Sequence, residues 1–398
     1  MKANVDLHIH SRFSAAVSKD MTLQEIAREA TKKGVKVVGT GDCLHRKWQE
    51  EIKALPEKDG LFHLDDVYYA LTVEVEDAHR IHHLIFVPSI SKAEELRESF
   101  SPKSSTLDSD GRPKIHLEGA AIADLALEAG CLIGPSHSFT PWTGIYAHYK
   151  SLDECYQEHA DEVRYIELGL SADTDYADRI AELSSRTFLS NSDAHSPKSN
   201  KLAREFNQLE ISEFSFQDIC RALKREGGCH PTLNVGFYPE EGKYNRTACT
   251  SCYTQYTAQQ MKELKGKCTA CGGRIKLGVR DRVDSLADYP EPKHPAHRPP
   301  YLHLIPLAEI IAMALGVKSP YTQGVQKRWD ELTADRTEIE VLVNADLSVL
   351  KAEAKVIDAI EAFRSGRVIV KPGGGGKYGE VALPQGAAKE KQKSLFDF

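Results

Sequence analysis

Near its start the chain reads VDLHIHS, Val5 to Ser11, which at period two sets Val5, Leu7 and Ile9 on one face and Asp6, His8 and His10 on the other. Strand residues two apart project together, roughly 6 to 7 Å from each other, so His8 and His10 form a chelating pair if a cation has further ligands nearby. Such ligands recur at comparable places. Asp42 and His45 follow VKVVGTG, Glu74 closes YYALTV, His83 opens HLIFVP, His137 follows CLIGPS, and Asp193 and His195 follow TFLSNS. Mixed imidazole and carboxylate ligands without thiolate suit zinc, manganese or iron in a hydrolytic role. The set exceeds the needs of one ion. Clustered cations assist in-line displacement at phosphorus by activating water, binding non-bridging oxygens and stabilising the leaving oxygen, so phosphoester hydrolysis is the expected chemistry.

Together DLHIHS, GTGD, the glutamate of TVEVED, HHLIFVP, PSHSFTPW and NSDAHS resemble the polymerase and histidinol phosphatase (PHP) superfamily. More narrowly, GTGDCLH, IHHLIFVP, TPW, ELGLSAD, NSDAHSP, a cysteine ribbon and HLIPLAEIIAMALG, in that order, resemble the endonuclease Q family over residues 1 to 380. The resemblance implies a PHP-type distorted (β/α)7 barrel holding two or three divalent cations (zinc, manganese or magnesium). His8 and His10 match the first superfamily motif, Glu74, His83 and His137 the middle ligands, and Asp193 and His195 the last motif, where they are also the catalytic candidates. His83 is preferred to its neighbour His82 because the superfamily pattern sets histidine directly before apolar residues. One departure is that Cys43 stands where the usual second motif carries a ligating histidine, which leaves Asp42 and His45 as alternative replacements.

A second signal is CTSC and CTAC, Cys249, Cys252, Cys268 and Cys271, separated by fifteen residues. Four thiolates at this spacing close the coordination sphere of one zinc and leave no open position, so the site is structural. Around it lies a basic stretch in a chain of net charge −7. Lys243, Arg246, Lys265, Lys267, Arg274 and Lys276 are its candidate phosphate contacts, and Tyr244, Tyr253 and Tyr256 offer stacking surfaces. Phe139, Trp142 and Tyr146, near His137, are candidates to wedge or stack against a base, Trp142 foremost.

These residues need a frame. TLQEIAREATKKG carries a capping box, Thr22 with Glu25, and stops at Gly34; VKVVGTGD follows as a buried strand. The same alternation recurs in AAIADLALEAG then CLIGPSH, and in DYADRIAELSSR then TFLSNSDAH, which is an α/β pattern of parallel strands joined by crossover helices. Ligands at strand C-termini favour a barrel over an open sheet. The expected units are a metallo-phosphoesterase barrel at 1–235, a four-cysteine zinc ribbon with its basic segment at 236–290, and a small α+β domain at 291–384. Within the last, LAEIIAMALG and KAEAKVIDAIEAFRSG read as helices, EIEVLVNADL and GRVIVKPG as strands, and KPGGGGKYG as a flexible hairpin. Residues 385–398 read as a disordered tail in which Gln392, Leu395 and Phe396 resemble the pentapeptide that docks bacterial proteins on the DNA sliding clamp.

The 398 residues are 41% hydrophobic and 27% charged, an ordinary globular composition, and no apolar run approaches the eighteen or so residues of a membrane span. Nine cysteines, without a basic-then-apolar leader before the first strand, suit a cytoplasmic and nucleoid-associated protein rather than a disulfide framework. The resemblance implies a DNA repair endonuclease that cuts 5′ to a deaminated base or abasic site in double- or single-stranded DNA. Two rivals are a small-molecule phosphomonoesterase, which leaves ribbon and basic arm idle, and a noncatalytic clamp-tethered DNA-binding protein with a barrel degenerate at Cys43.

Overall fold

The first helix forms where its end signals stand. In α1 (Leu23–Lys33) the Thr22 hydroxyl accepts from the Glu25 amide, and Gly34, at φ +88°, closes the C-terminus in the left-handed conformation. The computed structural model describes residues 1–384. Up to residue 236 the strands are β1 (Lys2–Asp6), β2 (Val37–Gly39), β3 (Glu57–Lys58), β4 (Leu61–Leu64), β5 (Val67–Ala70), β6 (Thr72–Glu76), β7 (His82–Phe86), β8 (Leu132–Pro135), β9 (Tyr165–Glu167), β10 (Thr187–Leu189), β11 (Phe206–Glu210) and β12 (His230–Gly236). Beyond them come β13 (Ala248–Cys249), β14 (Ile275–Lys276), β15 (Tyr301–His303), β16 (Ile369–Lys371) and β17 (Glu380–Ala382).

The architecture is mixed α/β. The largest sheet runs β15-β12-β11-β1-β2-β5-β4-β3, beside a three-stranded sheet β6-β7-β8 and the pair β9-β10. Crossovers make β1–β2, β2–β5 and β9–β10 parallel, as the alternation implies. The fully parallel, closed barrel is not formed among the described residues. Only Leu71 separates β5 from β6, and only residues 77–81 separate β6 from β7, so no crossover fits and β6–β7 pairs antiparallel, as does β7–β8. The strand ends nevertheless meet. Thr40 N donates to Ala70 O beyond β2, Leu168 N to Leu189 O beyond β9, and His10 N to Ala194 O beyond β1, which gathers one rim from several sheets.

All six residues from Val5 to His10 are buried, so the polar face of this first segment looks into protein rather than solvent. Leu7 packs in one apolar cluster with Val5, Leu84 and Tyr165, whereas Ile9 joins the other with Trp48, Val73 and Phe188. Burying one such side chain contributes about 1.5–3 kcal/mol, which holds the histidines' backbone in register between two cores.

The C-terminal third departs from its expected pattern in three places. EIEVLVNADL, expected as a strand, makes a helical turn at Glu340–Asn344. Its start is a capping box, because Glu340 N donates to the Thr337 hydroxyl and Thr337 N to the Glu340 carboxylate. The preceding Glu338 is buried and anchors the segment, accepting from Lys33 Nζ at 2.7 Å, Leu307 N at 3.1 Å and Trp329 Nε1. Second, β15 extends the main sheet parallel to β12. Third, the glycine run of KPGGGGKYG is packed rather than free: Arg246 N donates to Gly373 O, Gly376 N donates to Lys243 O, and a Cβ on Gly375 meets Cys249 O at 2.2 Å. The helices expected from LAEIIAMALG and KAEAKVIDAIEAFRSG form at Leu307–Leu315 and Ala354–Arg364. No helix among the described residues is long and apolar enough to cross a membrane. Gln392, Leu395 and Phe396 lie outside the described residues.

Candidate metal centre and nucleic-acid interface

Glu74, at the middle of β6, is the hub of the rim. Its Oε1 lies 2.9 Å from both His82 Nδ1 and His137 Nε2, and its Oε2 lies 3.3 Å from His10 Nε2. Asp193 Oδ1 stands 3.2 Å from His10 Nε2 and 3.8 Å from His8 Nε2. His195 closes the group, its ring 4.8 Å from that of His10. Three overlapping ligand sets result: His8, His10 and Glu74; His10, Asp193 and His195; Glu74, His82 and His137.

Outer partners fix which imidazole nitrogens face the centre. His8 Nδ1 is engaged by Glu167 at 2.9 Å, and His10 Nδ1 by Asp42 at 3.0 Å. Both Nε2 atoms are thereby turned inward, since a ring held at one nitrogen presents the other. Glu167 is itself held by Asn191 Nδ2 and by the His137 amide. Asp42 accepts from the Ser11 amide and from the hydroxyls of Ser11 and Ser14. Asp6, one step back on β1, accepts from Ser192 and Ala203 and so secures the turn carrying Asp193; burial raises its carboxyl to about 6. Backbone strain concentrates here too: Asp42, His137 and Asp193 have φ of +53°, +27° and +47°. Gly41 gives way to Ile9 O, which a Cβ would meet at 2.1 Å.

The donor chemistry fits divalent cations. His8 Nε2, His10 Nε2, His137 Nδ1 and Asp193 Oδ1 are buried without a hydrogen-bond partner, an arrangement that costs about 1–3 kcal/mol per group unless something else satisfies it. Charges are already organised around these atoms. Burial opposes charge on His8, yet Glu167 and Glu74 raise its imidazole to about 9; burial opposes charge on Glu74, yet His82 and His8 hold it well below the usual carboxylate range.

Not every expected residue arrives at this rim. Asp42 is present but behind His10, as its orienting partner. His45 sits at the N-terminus of α2 (Arg46–Lys53), stacked on Phe13 at 4.5 Å, and belongs to none of the ligand sets. His82 rather than His83 meets Glu74, because adjacent strand residues face opposite ways and the inward register falls on Glu74, His82 and not on the next residue. His83 instead contacts Asp77 and the Tyr156 hydroxyl, at 3.3 and 2.7 Å. At the rim, sequence reasoning passed over His82 in favour of His83, and it missed Glu167 and Arg112. The signal for Glu167 was available, as an acid ending the strand of YIELG; Arg112 lies in a loop without any periodic pattern.

Cys249, Cys252, Cys268 and Cys271 also converge, with Cys249–Cys271 and Cys252–Cys268 sulfurs 3.5 Å apart and all four within 4.8 Å. Sulfurs about 2.3 Å from one zinc stand at such spacings in a tetrahedron. Of the basic candidates, Lys243, Lys265, Lys267 and Arg274 are exposed, while Arg246 and Lys276 are partly covered. Lys276 Nζ lies 3.7 Å over the exposed Trp142 ring, Trp142 meets Tyr244 edge-on at 5.9 Å, and Lys243 stands between the rings of Tyr244 and Tyr378. Aromatic and cationic side chains thus run together from the loop after His137 to the glycine hairpin.

The model of the MJ0043 C-terminal domain family matches residues 306–367. The MJ0043 protein of Methanocaldococcus jannaschii is 45% identical over 252 residues, covering 62% of this chain; the match spans 31% of the length of that relative. The crystal structure of the lesion-specific endonuclease PfuEndoQ from Pyrococcus furiosus superimposes with a TM-score of 0.93 at 45% identity, covering 99% of this chain and 98% of that one. A structure of endonuclease Q in complex with a 27-mer duplex substrate, bearing an abasic lesion at the active site, gives 0.92 at 45% identity over 99% of this chain and all of that one. The chain belongs to the endonuclease Q family.

Proposed function

We propose that this chain is a lesion-specific, metal-dependent DNA repair endonuclease that hydrolyses the phosphodiester 5′ to a deaminated base or an abasic site. The observation that carries the reading is the convergence of the unpartnered His8 Nε2, His10 Nε2 and Asp193 Oδ1 beside Glu74, in a chain whose length matches endonuclease Q. The residues to hold two or three divalent cations (zinc, manganese or magnesium) are His8, His10, Glu74, His82, His137, Asp193 and His195. Bound there, such ions supply Lewis acidity toward the scissile phosphate and lower the pKa of water. The chain's own part is to prepare that site. Glu167 and Asp42 fix the tautomers of His8 and His10, and Asp6 holds the Asp193 turn. Water adds to phosphorus, the P–O3′ bond breaks, and the departing oxygen takes a proton to leave a 3′ hydroxyl and a 5′ phosphate.

The metal-centre strands are read as an open variant of the distorted seven-stranded PHP barrel, its rim collected from β1, β2, β6, β7, β8, β9 and β10. Residues 1–235, 236–290 and 291–384 are read as its three units, with the four-cysteine ribbon holding one structural zinc. Duplex DNA is read as lying along Lys243, Arg246, Lys265, Lys267, Arg274 and Lys276. Leaving the stack costs about a few kcal/mol, least for a damaged or mismatched base, and Trp142 is read as the side chain that stacks in the gap. Docking of Gln392, Leu395 and Phe396 on a sliding clamp, and a cytoplasmic, nucleoid-associated location, rest on the sequence alone.

The test uses end-labelled duplexes with one uracil, hypoxanthine or abasic site, incubated with the protein and manganese or magnesium. A single cut 5′ to the lesion, absent from the undamaged duplex, is expected. Faster hydrolysis of free phosphate monoesters than of any oligonucleotide would overturn the reading.

A further inference from the structure

Arg112 brings a positive charge to a centre whose ligands are arranged for cations. Its Nη1 lies 3.3 Å from Glu74 Oε2, and among the described residues no other lysine or arginine pairs with Glu74, Asp193, Asp42 or Glu167. Glu74 does not need it for neutralisation, since His8, His10, His82 and His137 already surround that carboxylate within 3.7 Å. The side chain is 27% exposed, and among the described residues Glu74 is the one side-chain acceptor its guanidinium meets.

The segment carrying it is built to hold still. The Asp110 carboxylate accepts from the amides of Ala15 and Arg112. Gly111 N donates to Phe13 O, and a Cβ at Gly111 would stand 2.3 Å from the Asp42 carboxylate, so only glycine lets the strap pass that close. Immediately after Arg112, Glu76 N donates to Pro113 O, tying the strap to β6 itself. Both flanks of Arg112 are therefore fixed to the elements that present His10 and Glu74. Ordering a long side chain and lodging a cation beside a cation site both cost free energy, and an anion arriving at the centre offsets both.

We propose that Arg112 is a catalytic residue whose guanidinium takes a non-bridging oxygen of the scissile phosphate and stabilises the charge that builds there as the P–O3′ bond breaks. The planar fork of arginine suits two phosphate oxygens, or one oxygen and Glu74 at once. This rests on the endonuclease reading above.

The test compares the metal-loaded full chain with R112A and R112K on a duplex carrying one abasic site. In R112A the single-turnover nicking rate is expected to fall about a hundredfold, with metal content, thermal midpoint and duplex affinity close to wild type. Free guanidinium at non-denaturing concentration restores part of the R112A rate where sodium chloride of equal ionic strength does not, and R112K, a point charge, stays well below wild type. Calorimetry with inorganic phosphate gives weaker binding to R112A than to wild type. An R112A protein that nicks as fast as a nicking wild type overturns this proposal alone. So does loss of bound metal in step with the rate, which would make Arg112 a support for Glu74. A wild type that does not nick overturns the endonuclease reading and this proposal together.

Discussion

The histidine–carboxylate rim and the cysteine ribbon are both cation sites, yet they are built on opposite plans. At the rim the ligands come from strands far apart in sequence, and each is braced from behind: His8 by Glu167, His10 by Asp42, the Asp193 turn by Asp6. Several inward atoms stay unpartnered. In the ribbon, four sulfurs from two short knuckles fill a tetrahedron by themselves, and their outer contacts are neutral and few: the Tyr256 hydroxyl 3.1 Å from Cys268, the Thr254 hydroxyl 3.2 Å from Cys252 and the Ser251 amide 3.4 Å from Cys249, with no buried carboxylate among them. Spare coordination together with rigid bracing belongs to a site that does chemistry; a filled sphere with little bracing belongs to one that holds a shape.

The largest effect is expected where the rim is least replaceable. Glu74→Gln keeps the shape of the hub but removes the charge shared by four imidazoles, and nicking is expected to fall at least about a thousandfold. Duplex affinity, measured separately by anisotropy, should change little, because the basic residues lie elsewhere. Equal losses in both would mean that the rim binds DNA rather than cutting it, and the contrast with the ribbon would lose its meaning.

The rim must also compete with protons. The His8 imidazole, raised to about 9 in the metal-free chain, lies above its ordinary value of about 6.5. Its proton therefore stabilises the metal-free fold fully below about pH 6.5, and that contribution is lost as pH rises through about 9. Only neutral imidazole ligates, and despite burial the carboxylates beside His10 and His82 raise those imidazoles as well, so apparent metal affinity of the rim should climb at least about tenfold per pH unit across this window. Titration against a competing chelator at several pH values measures the slope. A flat profile would remove His8 from the ligands.

How much of this was legible in the sequence follows from the same contrast. The four-cysteine cluster was readable, since C-x2-C knuckles are local and their spacing is the whole signal. The H-x-H strand and the D-x-H turn at Asp193 were readable for a related reason, a strand's period being two. What was hidden is what depends on pairing across strands. The choice between His82 and His83 is a matter of register against Glu74, Glu167 acquires its role only through a β9 end that meets His8, and the short links at 71 and 77–81 that prevent a closed parallel barrel look like ordinary turns. Tertiary capture misled in the C-terminal third as well. Glu338, buried by Lys33 and Trp329, makes a helical turn of a segment whose alternating residues suit a strand.

Smaller effects separate bracing from ligation. Glu167→Gln leaves an acceptor near His8 Nδ1 but takes away the negative charge that makes its Nε2 a strong donor. A drop of about 10–100-fold in rim metal affinity or in nicking is expected, short of the loss in Glu74→Gln. If Glu167→Gln matched Glu74→Gln, the carboxylate would have to be counted as a ligand. In the ribbon, Cys252→Ser should cost one zinc per chain by elemental analysis and lower duplex affinity about tenfold through the loosened basic arm, while the rim keeps its metals.

The mildest substitution tests the ribbon's independence. Tyr256→Phe removes the hydroxyl that contacts Cys268 Sγ and leaves the ring in place. One hydrogen bond to a sulfur whose charge is drawn off by zinc contributes about 1 kcal/mol, so zinc affinity measured by chelator competition should fall only about fivefold, with zinc content at saturation and duplex affinity unchanged. Four thiolates carry the remainder, and none of them depends on Tyr256 to choose which atom it presents, whereas His8 depends on Glu167 for that choice. A loss as large as the one in Glu167→Gln would show the ribbon to be braced like the rim, and a coordination sphere filled by its own ligands would no longer explain why it needs so few partners.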